Sequence, residues 1–122
     1  MANVPIAVLV VDDEPLILMS TSQLLEDEGF EVYQAENADV AIALLSRHAQ
    51  IQLLFTDIDM PGRMDGLKLA AAVRDRWPPV RIIVTSGART VEITDMPDGT
   101  VFFSKPYSHV AVIQSIRELL SV

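Results

Sequence analysis

Four short apolar runs in this chain each lead into a residue that can handle charge or phosphate, and that recurrence restricts the fold more than any other feature. Ile6 to Val11 leads into Asp12-Asp13, Ile51 to Thr56 into Asp57, and Ile82 to Val84 into Thr85; Val101 to Phe103 leads through Ser104 to Lys105. Short runs rich in Val, Ile and Phe read as buried strands when helical patterns lie between them. That alternation predicts a parallel sheet. In an open parallel sheet the carboxyl ends of the strands point the same way and ligands bind in the crevice beyond them. Residues far apart in sequence then share one mouth.

The intervening segments carry helix signals. Pro15 suits a first helical turn, Ile17, Leu24 and Leu25 recur at helical spacing, and Gly29 supplies a stop. Phe30 to Ala35 alternates apolar and polar residues as a less buried second strand. Asn37 then caps a helix whose Ala38, Ala41, Ile42 and Leu45 form one apolar stripe, made for packing on a sheet. After Asp57, the segment with Pro61, Gly62 and Gly66 reads as a long loop. A third helix follows through Leu67, Ala70, Val73 and Trp77 and stops at Pro78-Pro79. Val80 to Thr85 is the fourth strand and Thr100 to Ser104 the fifth. Between them, Gly87 to Gly99 has little periodicity and predicts a short or irregular fourth helix. Ser108 caps a last helix carrying Val112, Ile113, Ile116, Leu119 and Leu120. The expectation is a three-layer α/β sandwich with a five-stranded, doubly wound parallel sheet in the order 2-1-3-4-5.

Composition narrows the function classes. The 122 residues suit one domain over 1–122, and a 50% apolar share with 21% charged is that of an ordinary globular domain. No run approaches the length of a membrane helix and no basic leader precedes the first strand, so a cytoplasmic protein is expected. A net charge of -8 opposes binding to DNA or RNA, which rests on Lys and Arg neutralising phosphates. Arg74, Arg76 and Arg81 around Trp77 are too sparse for such a patch and decorate a helix end. With no cysteine and only His48 and His109, both away from the strand ends, thiolate and imidazole metal sites are excluded. No output domain is expected after Val122, so the signal passes to a separate partner.

At the strand ends, three carboxylates brought together repel unless a cation neutralises them or a proton is taken up. Magnesium fits, since it takes oxygen ligands and is usually held by one or two carboxylates plus a phosphate. Asp13 and Asp57 are the better direct ligands and Asp12 acts more naturally through water, although the residues alone leave inner and outer shells open. Asp57 can also be a nucleophile, because an aspartyl phosphate forms when a metal shields the carboxylate from the incoming phosphoryl group. Thr85 and Lys105 offer a hydroxyl and an ammonium to that group. Pro106 allows a cis turn after Lys105.

The run Val10-Val11-Asp12-Asp13-Glu14, the segment Asp57-Ile58-Asp59-Met60-Pro61-Gly62 with Met64-Asp65-Gly66, then Val84-Thr85-Ser86-Gly87 and Lys105-Pro106-Tyr107 resemble the receiver domain of two-component response regulators, over essentially the whole chain. The resemblance implies a flavodoxin-like fold and a stand-alone receiver. It also implies that a sensor histidine kinase or histidine phosphotransfer protein donates a phosphoryl group to Asp57, with Mg2+ held by Asp12, Asp13, Asp57 and the backbone carbonyl of Asp59. Thr85 matches the family's switch hydroxyl, Lys105 its phosphate-binding lysine and Phe102 its aromatic switch. The same reading admits a homodimer on activation, and self-phosphorylation and self-dephosphorylation as the chain's only catalysis. Two departures stand out: one extra residue between Pro61 and Asp65-Gly66, and the weak helix pattern after Gly87.

Plainer readings sit beside these. Phe102 serves equally as core packing, Thr85 alone is an ordinary strand residue, and Glu14 and Asp65 read as a helix-start charge and a turn residue. Trp77, Tyr107 and the methionines read as packing or partner surface. Asp57-Ile58-Asp59 also resembles the Asp-x-Asp signature of haloacid-dehalogenase-type phosphatases, but those place the nucleophile on the first strand and here an acidic pair precedes it. A flavin carrier would need a glycine-rich phosphate loop where Asp12-Asp13-Glu14-Pro15 stands. A phosphate sink without an effector is the remaining alternative.

Overall fold

The computed structural model describes residues 5–60, 65–87, 97 and 99–120. Five strands and four helices follow in the order β1 (Ala7–Val11), α1 (Pro15–Asp27), β2 (Glu31–Ala35), α2 (Ala38–Arg47), β3 (Ile51–Asp57), α3 (Gly66–Arg76), β4 (Arg81–Ser86), β5 (Val101–Ser104) and α4 (His109–Leu119). All strands are parallel, in the spatial order β2-β1-β3-β4-β5. The expected boundaries hold to within about a residue, with Asp57 and Ser86 drawn into the ends of β3 and β4. The expected irregular fourth helix falls on residues 88–96 and 98, and the lengthened loop on 61–64, outside the described residues.

Strand side chains alternate between two faces, and here both faces are apolar. Val8, Val10, Leu53, Phe55 and Ile83 join Leu18 and Leu25 of α1 and Val112 and Ile116 of α4 in one core. Leu9, Val11, Leu54, Ile82 and Val84 join Ala38, Ala41 and Leu45 of α2 and Leu69, Ala70 and Val73 of α3 in the other. The sheet is thus the middle of three layers. Central strands β1, β3 and β4 are buried almost throughout, whereas β2 is half open and β5 is only partly buried.

The helix ends follow their sequence signals. Pro15 opens α1, and Gly29 just beyond it takes a φ of 94°, in the left-handed region that glycine enters without a Cβ penalty. Asn37 and Ser108 cap α2 and α4 by accepting the N–H of Val40 and Ala111. Asp65, read from sequence as a turn residue, caps α3 by accepting from the Lys68 N–H at 3.0 Å.

That cap brings the first residue of α3 hard against the end of β3. A Cβ on Gly66 would overlap the Asp57 carbonyl oxygen and lie 2.7 Å from the Ile58 Cα, both backbone atoms that cannot swing aside. A Cβ on Gly87 would meet only Lys105 methylenes, the nearest at 3.2 Å, on a flexible side chain. Gly66→Ala is therefore expected to cost about 2 kcal/mol or more in urea unfolding, while Gly87→Ala costs distinctly less.

Candidate functional site

Extending each strand's alternation by one more step predicts the site. Asp12, Asp57, Thr85 and Lys105 lie two residues beyond Val10, Phe55, Ile83 and Phe103, all of which belong to or pack on the α1–α4 core. The backbone ladder continues far enough to hold them there. Asp12 N–H donates to Ala35 O at 3.1 Å, Ile58 N–H to Thr85 O at 2.8 Å, and Lys105 N–H to Ser86 O at 2.9 Å. Asp57 and Thr85 sit opposite one another in the β3–β4 register.

One carboxylate oxygen from each of Asp12, Asp13 and Asp57 lies within 4.8 Å of the other two. Asp12 and Asp57 are buried, at 5% and 4% exposure, and Asp13 is half-buried. Lys105 Nζ donates to Asp57 Oδ2 at 3.2 Å across the mouth. The Lys105–Pro106 peptide bond is cis. Asp57 Oδ1 accepts from the Asp59 N–H at 3.1 Å, and Asp12 Oδ1 from the Glu14 N–H at 2.9 Å, where the chain turns into α1.

Two charge shifts record the crowding. Burial pushes the Asp12 carboxyl above its ordinary 3.8; the Glu14 N–H opposes this and the charge of Asp57 reinforces it. Burial also works against the Lys105 ammonium, but the hydrogen bond and charge of Asp57, with Asp12 adding, outweigh it and hold the amine above 10.5. Three acids thus face one cation. An all-oxygen donor set with uncompensated negative charge suits a hard divalent cation, and these residues fit one.

Other expected positions resolve differently. Phe102 is half-buried and packs on the α2–α3 core, on the opposite side of the sheet from Thr85's neighbour Phe103. Tyr107 packs on the α1–α4 core, with its ring edge-on to Phe55 at 6.0 Å between centroids. The Asp59 side chain turns away from the acidic trio: its Oδ2 accepts from Ser86 Oγ at 2.8 Å and from the Gly87 N–H at 3.2 Å. Ser86 was not picked out from the sequence, where a serine after Thr85 carries no signal of its own. Arg74 stays at its helix end, donating to Pro78 O at 2.9 Å, and Arg76 lies over the Trp77 ring at 4.4 Å.

A doubly wound parallel sheet with an acidic pocket and one lysine at its strand ends is the class of domain that folding produces here. Residues 8–117 match the response regulator receiver domain family, and the chain belongs to it. It is 34% identical over 105 residues to the nitrogen assimilation regulatory protein NtrX of Azorhizobium caulinodans, over 83% of this chain and 23% of that protein. It is 31% identical over 115 residues to the transcriptional regulatory protein ResD of Bacillus subtilis, over 93% of this chain and 47% of that one. The chain therefore spans less than half the length of either curated relative. A crystal structure of a response regulator receiver protein from Sinorhizobium medicae superposes with a TM-score of 0.89 at 27% identity, over 97% of this chain and 96% of the other. Among the described residues no helix is long and apolar enough to cross a membrane.

The raised Asp12 value has a definite sign. Because the folded protein holds that proton more tightly than the unfolded chain, ionising Asp12 costs stability. That cost grows as pH rises from 3.8 through the raised folded value and is complete above it. Asp12→Asn keeps the oxygen that accepts from Glu14 and removes the charge. At pH 7 without divalent ions it is expected to raise stability by about 1 kcal/mol, a few degrees in a thermal melt. Adding Mg2+ then raises the melting temperature of the wild type more than that of the variant.

Proposed function

We propose that this domain is a phosphoacceptor switch of a two-component phosphorelay, with Asp57 as the acceptor. The single observation that carries the proposal is the contact of Lys105 Nζ with Asp57 Oδ2 at 3.2 Å beside two further carboxylates. A buried nucleophilic carboxylate with an ammonium at hand and a place for a cation is what acyl phosphate chemistry requires.

The phosphoryl donor is a phosphohistidine of a sensor histidine kinase or a histidine phosphotransfer protein. A carboxylate oxygen of Asp57 attacks phosphorus, the phosphorus–nitrogen bond breaks, and its electron pair returns to the imidazole. Asp12, Asp13, Asp57 and the Asp59 backbone carbonyl would hold Mg2+, which would supply neutralisation of the charge that builds on the phosphoryl oxygens. Lys105 already rests on the acceptor and transfers its hydrogen bond to the incoming group. Thr85, level with Asp57 on the next strand, donates its hydroxyl to another phosphoryl oxygen.

That engagement shifts the population of two conformers. Phe102 pairs with Val84, beside Thr85, and is half-buried, so its rotamer follows the hydroxyl and alters the surface over β4 and β5. A changed protein partner preference, homodimerisation included, is the output. Attack of water on the acyl phosphate restores Asp57 and releases phosphate, so self-phosphorylation from a small donor and self-dephosphorylation are the only chemistry. A net charge of -8 keeps nucleic acid out of the partner list, and the cytoplasm is the compartment that fits. No observation favours the phosphatase reading.

Incubation with acetyl phosphate and Mg2+ is expected to add one phosphoryl mass to the intact wild-type chain and none to Asp57→Ala. An equal gain in the variant refutes the assignment. Lys105→Ala is expected to slow acquisition by at least about tenfold, in keeping with loss of a charge-assisted hydrogen bond.

A further inference from the structure

Asp59 joins the two strands that carry the acceptor and the hydroxyl. Its backbone N–H holds Asp57 Oδ1 at 3.1 Å, while its carboxylate holds Ser86 Oγ at 2.8 Å and the Gly87 N–H at 3.2 Å. Ser86, at 1% exposure, is the residue directly after Thr85, and its carbonyl accepts the Lys105 N–H at 2.9 Å. One carboxylate therefore ties the acceptor's loop to the segment on which both Thr85 and Lys105 depend. In this conformer, among the described residues, no hydrogen bond links the Thr85 hydroxyl to Asp57, so the tie belongs to the state in which the hydroxyl is not engaged.

Resting on the phosphoacceptor reading, we infer that Asp59 and Ser86 form a latch that holds the end of β4 in its unengaged position and sets how readily the domain switches. In this proposal the Thr85 hydroxyl reaches a group on Asp57 through a shift of the backbone of Thr85, Ser86 and Gly87, a segment tied on one side to Asp59 and on the other to the Lys105 backbone. A hydrogen bond present in one conformer and lost in the other biases the equilibrium by its own net free energy. The Ser86 hydroxyl donates to a carboxylate oxygen at 2.8 Å, an acceptor stronger than an amide or hydroxyl oxygen. Asp59 and Ser86 are positioning residues here, acting through Thr85.

Ser86→Ala deletes one hydroxyl and leaves the other contacts of Asp59 in place. The probe is beryllofluoride with Mg2+, a phosphoryl mimic, titrated by tryptophan fluorescence or calorimetry. Ser86→Ala is expected to bind it about fivefold more tightly than wild type, the value of one hydrogen bond of ordinary net strength. Asp59→Asn, which keeps an acceptor oxygen at the same place, shows a smaller gain. Damage to folding alone does not tighten binding, so the direction of the change separates a latch from a structural role. Unchanged or weaker binding by Ser86→Ala, with wild type binding and Asp57→Asn not, overturns the latch and leaves the phosphoacceptor reading standing. Failure of wild type itself to bind overturns both.

Discussion

Everything at the functional end of this domain depends on an unbalanced charge cluster held in place by the sheet. Asp12, Asp13 and Asp57 converge within a few ångströms and, among the described residues, meet a single ammonium, that of Lys105. Left to itself such a cluster would disperse, since like charges close together in a poorly solvated site repel strongly. It persists because each member is attached to a backbone already committed to a ladder. Asp12 is tied to Ala35, Ile58 to Thr85 and Lys105 to Ser86. The two apolar cores on either side then prevent the strands from relaxing apart. Burial of hydrocarbon on both faces thus holds a polar arrangement that is unfavourable taken alone, and the residual negative charge is what suits the pocket to a divalent cation.

The same architecture divides the molecule into a part that resists motion and a part that admits it. β1, β3 and β4 are buried nearly throughout and fix Asp12 and Asp57. β5 is only partly covered, so displacing Phe102 or the segment leading to Lys105 disturbs less packing than displacing any central strand. For the proposed switch, a stationary Asp57 beside a more pliable edge is a sound arrangement for turning a local change of charge into a change of surface. Asp59 links two of the central strands, with its backbone N–H on Asp57 at the end of β3 and its carboxylate on Ser86 at the end of β4.

Much of the fold was legible because periodicity is a local property. Val8 and Val10 against Leu9 and Val11, or Ala38, Ala41 and Leu45 along α2, advertise their faces without reference to anything distant. Caps were equally plain at Asn37 and Ser108, where a short polar side chain can reach an N–H three residues on. Asp65 was read a step short, as a turn residue, because a turn and a helix cap use the same side-chain chemistry until the following residues are seen to coil. Gly66 looked like loop punctuation. Its requirement is steric and comes from the carbonyl of Asp57, nine places earlier in the chain.

The sequence by itself determined the order of the described elements, the direction of their strands, and the identity of the acidic trio, Thr85 and Lys105, because each stands at the end of a strand pattern; Asp12, Asp57, Thr85 and Lys105 continue one face of it and Asp13 the other. Only the tertiary structure decided which carboxylate Lys105 touches and that Asp59 turns its side chain to Ser86 rather than to the acids beside it. The reason is one of reach. A pattern specifies the side of a strand on which a residue stands, whereas hydrogen-bond partners are chosen among groups that lie within about three ångströms only after separate strands have been brought edge to edge.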